Sequence, residues 1–454
     1  MNQDYHYCAT FLASSRADFT EEDADKIAWA ALMVDEMTSK QYKKMNYPDY
    51  LVEITSYEYN ETIALAFALA DDFIQNYACK KEGLNEEELI GVLENTVKSE
   101  FEPNTQLERE IWIPFHFLPG NLIMKNDQTK EWKYRYEFEG KDTDRFIELV
   151  DKDRLLEFED IDSGRFFDKV WDGKDFACMC FPNSELAEEM VKDTRKVFHK
   201  ESYNKEFKLM LLGIRMHVLA DTWAHQGFTG SRNFWCNNVS IVRKASRNFG
   251  SALAWSNDNH SLSYLGHLKM GHLPDQGYQK YSYQAQWKKQ RIEVDNVARF
   301  SNALAQMYNA LKFIQCKEPC SQVKSKNGCL MDPQKCDTCP DLYISQWNTF
   351  EEERKKSPID NKMVENMIKL IKDAEKVLSH DPGTADGNQI MFWKDVLPIS
   401  FYSYIEAKTI NKDLYFAYVS AAAYHRKWVM REVNSRLKCI NPEWTYFSEG
   451  QEWR

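Results

Sequence analysis

Apolar residues recur at helical spacing through most of the chain. In Gly213-Ile-Arg-Met-His217-Val-Leu-Ala-Asp221-Thr-Trp-Ala-His225-Gln-Gly227-Phe228 the pattern predicts the C-terminal part of a helix that stops at Gly227, a residue suited to a helix end. Helical patterning dominates from Ser184 to Gly227, in two or three segments. Thr20-Glu-Glu-Asp23 resembles a capping box that opens a helix over 24–37, with Ile27, Ala31 and Val34 as its apolar stripe and Asp35 on that face. Asn85 caps an expected helix through Val97, and a long one is expected over 288–315. Three more are expected at about 341–356, 360–379 and 413–437. The prediction is a mainly α protein.

A few short strands interrupt this pattern. Residues 50–59 are β-branched and aromatic, and 131–139 alternate with one aromatic face, so both predict strands. Residues 61–79 fit either helix or strand. Pro114 and Pro119 predict that 110–120 is extended or a loop rather than a helix. Residues 231–256 are expected to be irregular, the acidic stretch 142–161 a solvated surface, and 381–388 a linker. The expected organisation is a metal-binding helical domain over 1–315, a Cys-rich insertion over 316–340, and C-terminal helices over 341–454 that pack on the core.

Composition narrows the classes. A chain of 454 residues, 43% of them hydrophobic, can bury a large core. The net charge of -12 argues against a general nucleic-acid coat protein but leaves room for a nuclease whose metals offset phosphate charge. No apolar run approaches 18 residues, and the start has neither a basic nor an apolar signal region, so the expectation is a cytoplasmic protein without a transmembrane segment. Eleven cysteines, an odd number, point to mostly reduced thiols.

The candidate chemistry starts in the helix that ends at Gly227. His217, Asp221 and His225 are four apart and share a face with Ile214, Val218 and Ala224. Satisfied core polar groups would explain a single histidine. A ladder of two imidazoles and a carboxylate on an inward face points to a metal, because buried charges are costly unless paired or coordinated. A second cluster holds His260, His267, His272 and Asp275 among Gly266, Gly271 and Gly277, which let the backbone bend tightly. A polar surface loop is the plainer alternative there. His6 lies among aromatic residues and His116 between Phe115 and Phe117. Tyr5, Tyr7, Trp223 and Phe228 read as core residues rather than pocket lining. Cys316, Cys320, Cys329, Cys336 and Cys339 lie in a segment too polar for a core. Their spacing suits one structural zinc or a disulfide staple.

The order His6, Asp35, His116, His217-x3-Asp221-x3-His225, then His267, His272 and Asp275 resembles the zinc-dependent phospholipase C and single-strand-specific zinc nuclease superfamily. The segments His-Val-Leu-Ala-Asp-Thr-Trp-Ala-His-Gln-Gly-Phe and Pro-Phe-His-Phe-Leu-Pro look like an uncharacterised bacterial family at its edge. The resemblance covers about 1–280 and implies a mostly helical phosphoesterase-like core holding two or three zinc ions. It implies that Asp221 bridges two metals, that His217, His116 and Asp35 complete one, and that His6 serves a second. It implies that His225, with His267 or His272 and Asp275, holds the third. Three departures stand out: the superfamily begins with a Trp whose amine binds metal, whereas this chain begins with Met; the gap between Asp221 and the next His is shorter here; and the last motif is not His-x3-Glu. The implied activity is hydrolysis of a phosphate ester by a metal-activated water, with Asp35 also a candidate general base and Asp221 the central bridge. Nucleotide or nucleic-acid esters are slightly favoured over phospholipid head groups as substrates. The alternative is a non-catalytic, metal-stabilised interaction protein that binds a protein partner through the Cys-rich insertion or the C-terminal helices.

Overall fold

A computed structural model describes residues 1–36, 105–126, 131–139, 173–231, 233–244, 265–267, 270–315, 361–383, 389–397 and 412–447. Helices in chain order are α1 (Gln3–Arg16), α2 (Glu21–Glu36), α3 (Thr105–Phe115), α4 (Gly173–Ala177), α5 (Glu185–His199), α6 (Lys205–Ala224), α7 (Phe234–Asn237), α8 (Asn296–Gln315), α9 (Asn361–Leu378), α10 (Ile390–Trp393) and α11 (Lys412–Ile440). Strands are β1 (Leu122–Asn126), β2 (Glu131–Tyr134), β3 (Val239–Lys244), β4 (Lys280–Ala285) and β5 (Ile292–Asp295). The chain is mainly α with a few short antiparallel strands, as its apolar periodicity predicts.

Helix α6 is the axis on which the others are laid. Asn204 caps it by accepting from the Phe207 amide at 2.7 Å. Every residue from Leu209 to Ala224 is buried, because α1, α2, α3, α5, α8 and α11 all pack on it. A helix with apolar residues on every side belongs in such a place, and the polar side chains it carries there, Arg215, His217 and Asp221, are buried with it. Gly213 permits the closest of these contacts: a Cβ there would lie 2.2 Å from the Ile27 carbonyl oxygen of α2. Helix α2 opens as its capping residues predict, with Thr20 Oγ1 accepting from the Asp23 amide at 3.2 Å.

The strands form two antiparallel sheets, β1-β2 and β3-β4-β5. The larger sheet covers a second apolar cluster that includes Phe117, Phe228, Tyr281, Tyr283 and Trp287. Helix α9 packs on α8 and α1, while α11 packs on α6, α3 and β2, so both share the main apolar core with the N-terminal helices.

Three local expectations are corrected. Residues 105–115 are helical despite Pro114, which sits in the last turn of α3. The proline removes one bond to the Glu110 carbonyl, and Arg426 Nε of α11 donates to that oxygen instead, at 3.1 Å. The helix expected from 288 begins only at Asn296, since Ile292 and Val294 alternate and pair with β4 as a strand. Residues 231–256, expected to be irregular, contain α7 and β3. Helix α1, for which the sequence pattern gave no element, opens the chain. The strand at 50–59, the segments 61–79, 85–97, 142–161 and 341–356, His260, and the cysteines from Cys316 to Cys339 lie outside the described residues.

Candidate metal centre

Six separate elements deliver side chains to one point. His6 comes from α1 and Asp35 from the last turn of α2. His116 follows α3 directly, its amide bonded to the Trp112 carbonyl at 3.0 Å. His217 and Asp221 lie on α6, and His225 is the C-cap of that helix. His267 follows Gly266, whose φ of +51° and close approach to Phe117 require glycine. Asp275 ends a short 3-10 turn, Leu273–Asp275.

Three groups result, each with ligand atoms within 4.8 Å of one another: His6, His217 and Asp221; Asp35, His116 and His217; and His225, His267 and Asp275. Asp221 joins them. Its Oδ2 lies 3.1 Å from His217 Nε2 and 3.2 Å from His116 Nδ1, while its Oδ1 lies 3.2 Å from His6 Nε2. Asp35 Oδ1 lies 3.8 Å from His217 Nε2 and 3.9 Å from His116 Nδ1. Asp275 Oδ1 is 3.1 Å from His225 Nε2, and its Oδ2 is 3.5 Å from His267 Nε2. The Met1 α-amino group stands between the two carboxylates, 2.6 Å from Asp221 Oδ1 and 3.2 Å from Asp275 Oδ1.

The rear nitrogens of three rings are tied to backbone carbonyls. His217 Nδ1 donates to Ala31 O at 2.8 Å, His225 Nδ1 to His116 O at 2.7 Å, and His267 Nδ1 to Gly271 O at 3.1 Å. A carbonyl can only accept, so each Nδ1 carries the proton. In the neutral ring Nε2 is then an acceptor facing carboxylate oxygens. His6 makes no hydrogen bond through either nitrogen, and His116 Nε2 has none. The Met1 ammonium lies between Asp221 and Asp275 in this space, and the imidazole nitrogens and carboxylate oxygens grouped around it offer a donor set for a further cation. Nitrogen and oxygen donors of this kind suit zinc and related divalent ions, and a carbonyl behind each ligating ring is the usual outer support.

The electrostatics prepare the same state. Burial lowers His116 and His267 to about 4 and, with His217 and the Met1 ammonium beside it, holds His6 well below its usual range. All three are therefore neutral and able to ligate. Burial opposes ionisation of Asp221 and Asp275. It is outweighed by His225 and the Met1 ammonium at Asp221, and by His267 and the same ammonium at Asp275, so both stay well below the usual carboxylate range. Burial raises Asp35 to about 7 against the pull of His217 and the ammonium. Burial would lower the Met1 amine, but Asp221, Asp275 and Asp35 raise it to about 11.

Of the nine residues expected as ligands, the structure brings together His6, Asp35, His116, His217, Asp221, His225, His267 and Asp275. His272 is corrected: it is exposed and caps the 3-10 turn, outside all three groups. Gly271 turns the chain there at φ +56°, which separates it from His267. Tyr5, Tyr7, Trp223 and Phe228 are buried in the apolar clusters, as their character suggests. The supports at Ala31 O, His116 O and Gly271 O had no sequence signal, because any residue supplies a carbonyl.

A family of unknown function, DUF6765, matches residues 1–433, and the chain belongs to that family. No curated protein and no solved structure matches the chain.

Proposed function

We propose that this protein is a metal-dependent hydrolase of phosphate esters or phosphodiesters, with zinc as the fitting ion. The observation that carries the reading is the convergence of acceptor atoms around Asp221, with the rear nitrogens of His217 and His225 committed to carbonyls. The two oxygens of Asp221 face different groups, which suits two neighbouring ions sharing one carboxylate. A structural zinc site is normally closed by four protein ligands, and a catalytic one keeps a position open. Here Asp35 is 20% exposed, and His267 and Asp275 are each 14% exposed, so one side of the cluster reaches solvent. That favours the open kind.

A pair of such ions, when bound, supplies Lewis acidity to a phosphoryl oxygen and lowers the pKa of water to about 7. The chain's own residues do the rest. Asp221, His217 and His116 fix the cluster's centre, while Phe117 stacks on His225 with ring centroids 4.7 Å apart and holds that imidazole in place. Asp35, at the exposed edge of the cluster, would either complete a metal's ligand set or act as general base. Nucleotide and nucleic-acid esters are the first substrates to try, with phospholipid head groups second.

Metal analysis of the purified protein, with hydrolysis of bis-p-nitrophenyl phosphate, a single-stranded oligonucleotide and phosphatidylcholine with and without chelator, tests the proposal. Two or three equivalents of metal and chelator-sensitive hydrolysis are expected, both lost in Asp221→Ala. Less than one equivalent, unchanged in Asp221→Ala, overturns the metal reading. Bound metal with no hydrolysis of any ester overturns the enzymatic one.

A further inference from the structure

Two adjacent residues of α11 bond the backbone of α3 just before His116, and one of them also meets the Arg215 side chain of α6. Pro114 has no N–H and cannot donate to the Glu110 carbonyl one turn earlier in α3. Arg426 takes that place with Nε, at 3.1 Å, and pairs its other arm with the Glu110 carboxylate. His425 Nε2 donates to the Pro114 carbonyl at 2.9 Å, and its Nδ1 faces Arg215 Nε at 3.5 Å. Pro114 stands two residues before His116, and Arg215 two residues before His217. His425 thus lies between the Pro114 carbonyl, two residues before His116, and the Arg215 guanidinium; His116 Nδ1 is itself 3.3 Å from His217 Nε2.

Both residues are buried, at 0% and 6% exposure, so water does not compete for these bonds. Arg215 is itself held, by Asp193 at 2.8 Å, Thr194 Oγ1 at 2.9 Å and the Met190 carbonyl at 3.1 Å, and it cannot follow if His425 moves. An apolar residue at 425 would fill the same space. It would lack the donor and the acceptor with which the imidazole bonds a carbonyl on one side and a guanidinium on the other.

We infer that His425 and Arg426 are positioning residues of the metal centre, fixing the end of α3 and with it His116 beside His217, so that α11 docks and the Asp35, His116 and His217 group forms as one event. The inference rests on the metal reading proposed above. It gives the C-terminal helix a role in the centre although no residue of that helix belongs to the three ligand groups. Because coupling is reciprocal, metal bound at that group also tightens the docking of α11.

The test is a Co2+ titration of the full chain followed by absorption, with bands assigned from His116→Ala and His267→Ala. His425→Phe is expected to weaken binding at the His116 band by about 10-fold, the low end of the range for a direct partner of a ligand, since His425 acts through the backbone beside His116. The loss at the His267 band is expected to be under about threefold. A smaller share reaches it through the His116 carbonyl that holds His225. His425→Gln, which can still donate and accept, should recover most of the loss. Arg426→Lys, a milder change that keeps the charge opposite Glu110, should weaken the same band. In hydrogen exchange, Co2+ should protect α11 in the wild type and not in His425→Phe. A general folding defect would weaken both bands equally and would not respond to glutamine. Equal losses, no loss in either His425→Phe or Arg426→Lys, or glutamine no better than phenylalanine overturns the inference alone. A wild-type protein that binds no Co2+ overturns the metal reading and this inference together.

Discussion

Replacing Gly213 with alanine tests whether α2 and α6 hold the metal centre through their contact. A Cβ at this position would lie 2.2 Å from Ile27 O, 2.6 Å from Ala30 Cβ and 3.0 Å from Ala31 N. Ordinary contact begins near 3.4 Å, so α2 must retreat by about 1 Å, and no flexible side chain can absorb the shift. Overpacking of this kind costs about 1–3 kcal/mol. Alanine returns about 1 kcal/mol through helix propensity, leaving a net loss of about 0–2 kcal/mol.

The metal centre has no such compensation. The retreat carries the Ala31 carbonyl away from His217 Nδ1, now 2.8 Å distant, to roughly 3.8 Å, beyond hydrogen-bonding reach. It also displaces Asp35, one turn further along α2. Losing an outer hydrogen bond of a ligand costs about 10–100-fold in metal affinity, or about 1.4–2.7 kcal/mol. Metal affinity should therefore fall by more than stability does. Competition with a chromophoric chelator measures the first, and denaturant unfolding of the metal-free protein measures the second. An affinity within threefold of wild type, alongside a clear loss of stability, would refute the claim that this helix contact positions His217.

His272→Ala should leave metal affinity and content unchanged, since that imidazole is exposed and outside the cluster; a lost equivalent of metal in this variant would contradict the placement. In the metal-free protein, His116 and His267 stand at about 4 and His425 at about 3, all depressed chiefly by burial. Their contribution to stability is full above the unfolded value of about 6.5 and is lost as pH falls toward 4, at up to about 4 kcal/mol per pH unit for three groups. Asp35, raised to about 7, works in the opposite direction: its contribution is full below about 3.9 and is lost as pH rises through 7. Denaturant unfolding with chelator should thus give higher stability at pH 6.5 than at pH 5, because three depressed histidines outweigh one raised carboxyl over that window, and equal stability at the two would contradict the assignment.

What the sequence made legible follows from distance along the chain. His217, Asp221 and His225 sit on one helix, so a period of 3.6 residues places them together before any fold is known. His6, Asp35 and His116 come from three other elements and were joined to the ladder only by their order in a resembling superfamily. Their convergence depends on α1, α2 and α3 packing on α6, which no local pattern encodes. The misplacement of His272 has the same origin. His267, His272 and Asp275 are close in sequence, and only the left-handed turn at Gly271 and the 3-10 turn decide which of them face inward. Likewise, Ile292 and Val294 fit a helix or a strand until β4 is beside them.

Pro114 shows why the remaining error was unavoidable from local rules, and why it matters for the centre. A proline at the end of an apolar run removes a helical bond, and the local expectation of a loop is sound on that ground. In the fold Arg426, more than 300 residues later, donates to the Glu110 carbonyl that Pro114 cannot serve. The residue that breaks the local rule lies two positions before a candidate ligand, and its repair comes from the helix that also touches the approach to His217. A chain could satisfy α3 more simply with a residue that keeps its N–H. The proline instead makes the end of α3 dependent on α11, so the position of His116 is fixed by tertiary packing rather than by helix formation alone. The placement of the ligand therefore has to be read from the whole fold, and the C-terminal helix is part of the centre's architecture rather than an outer layer.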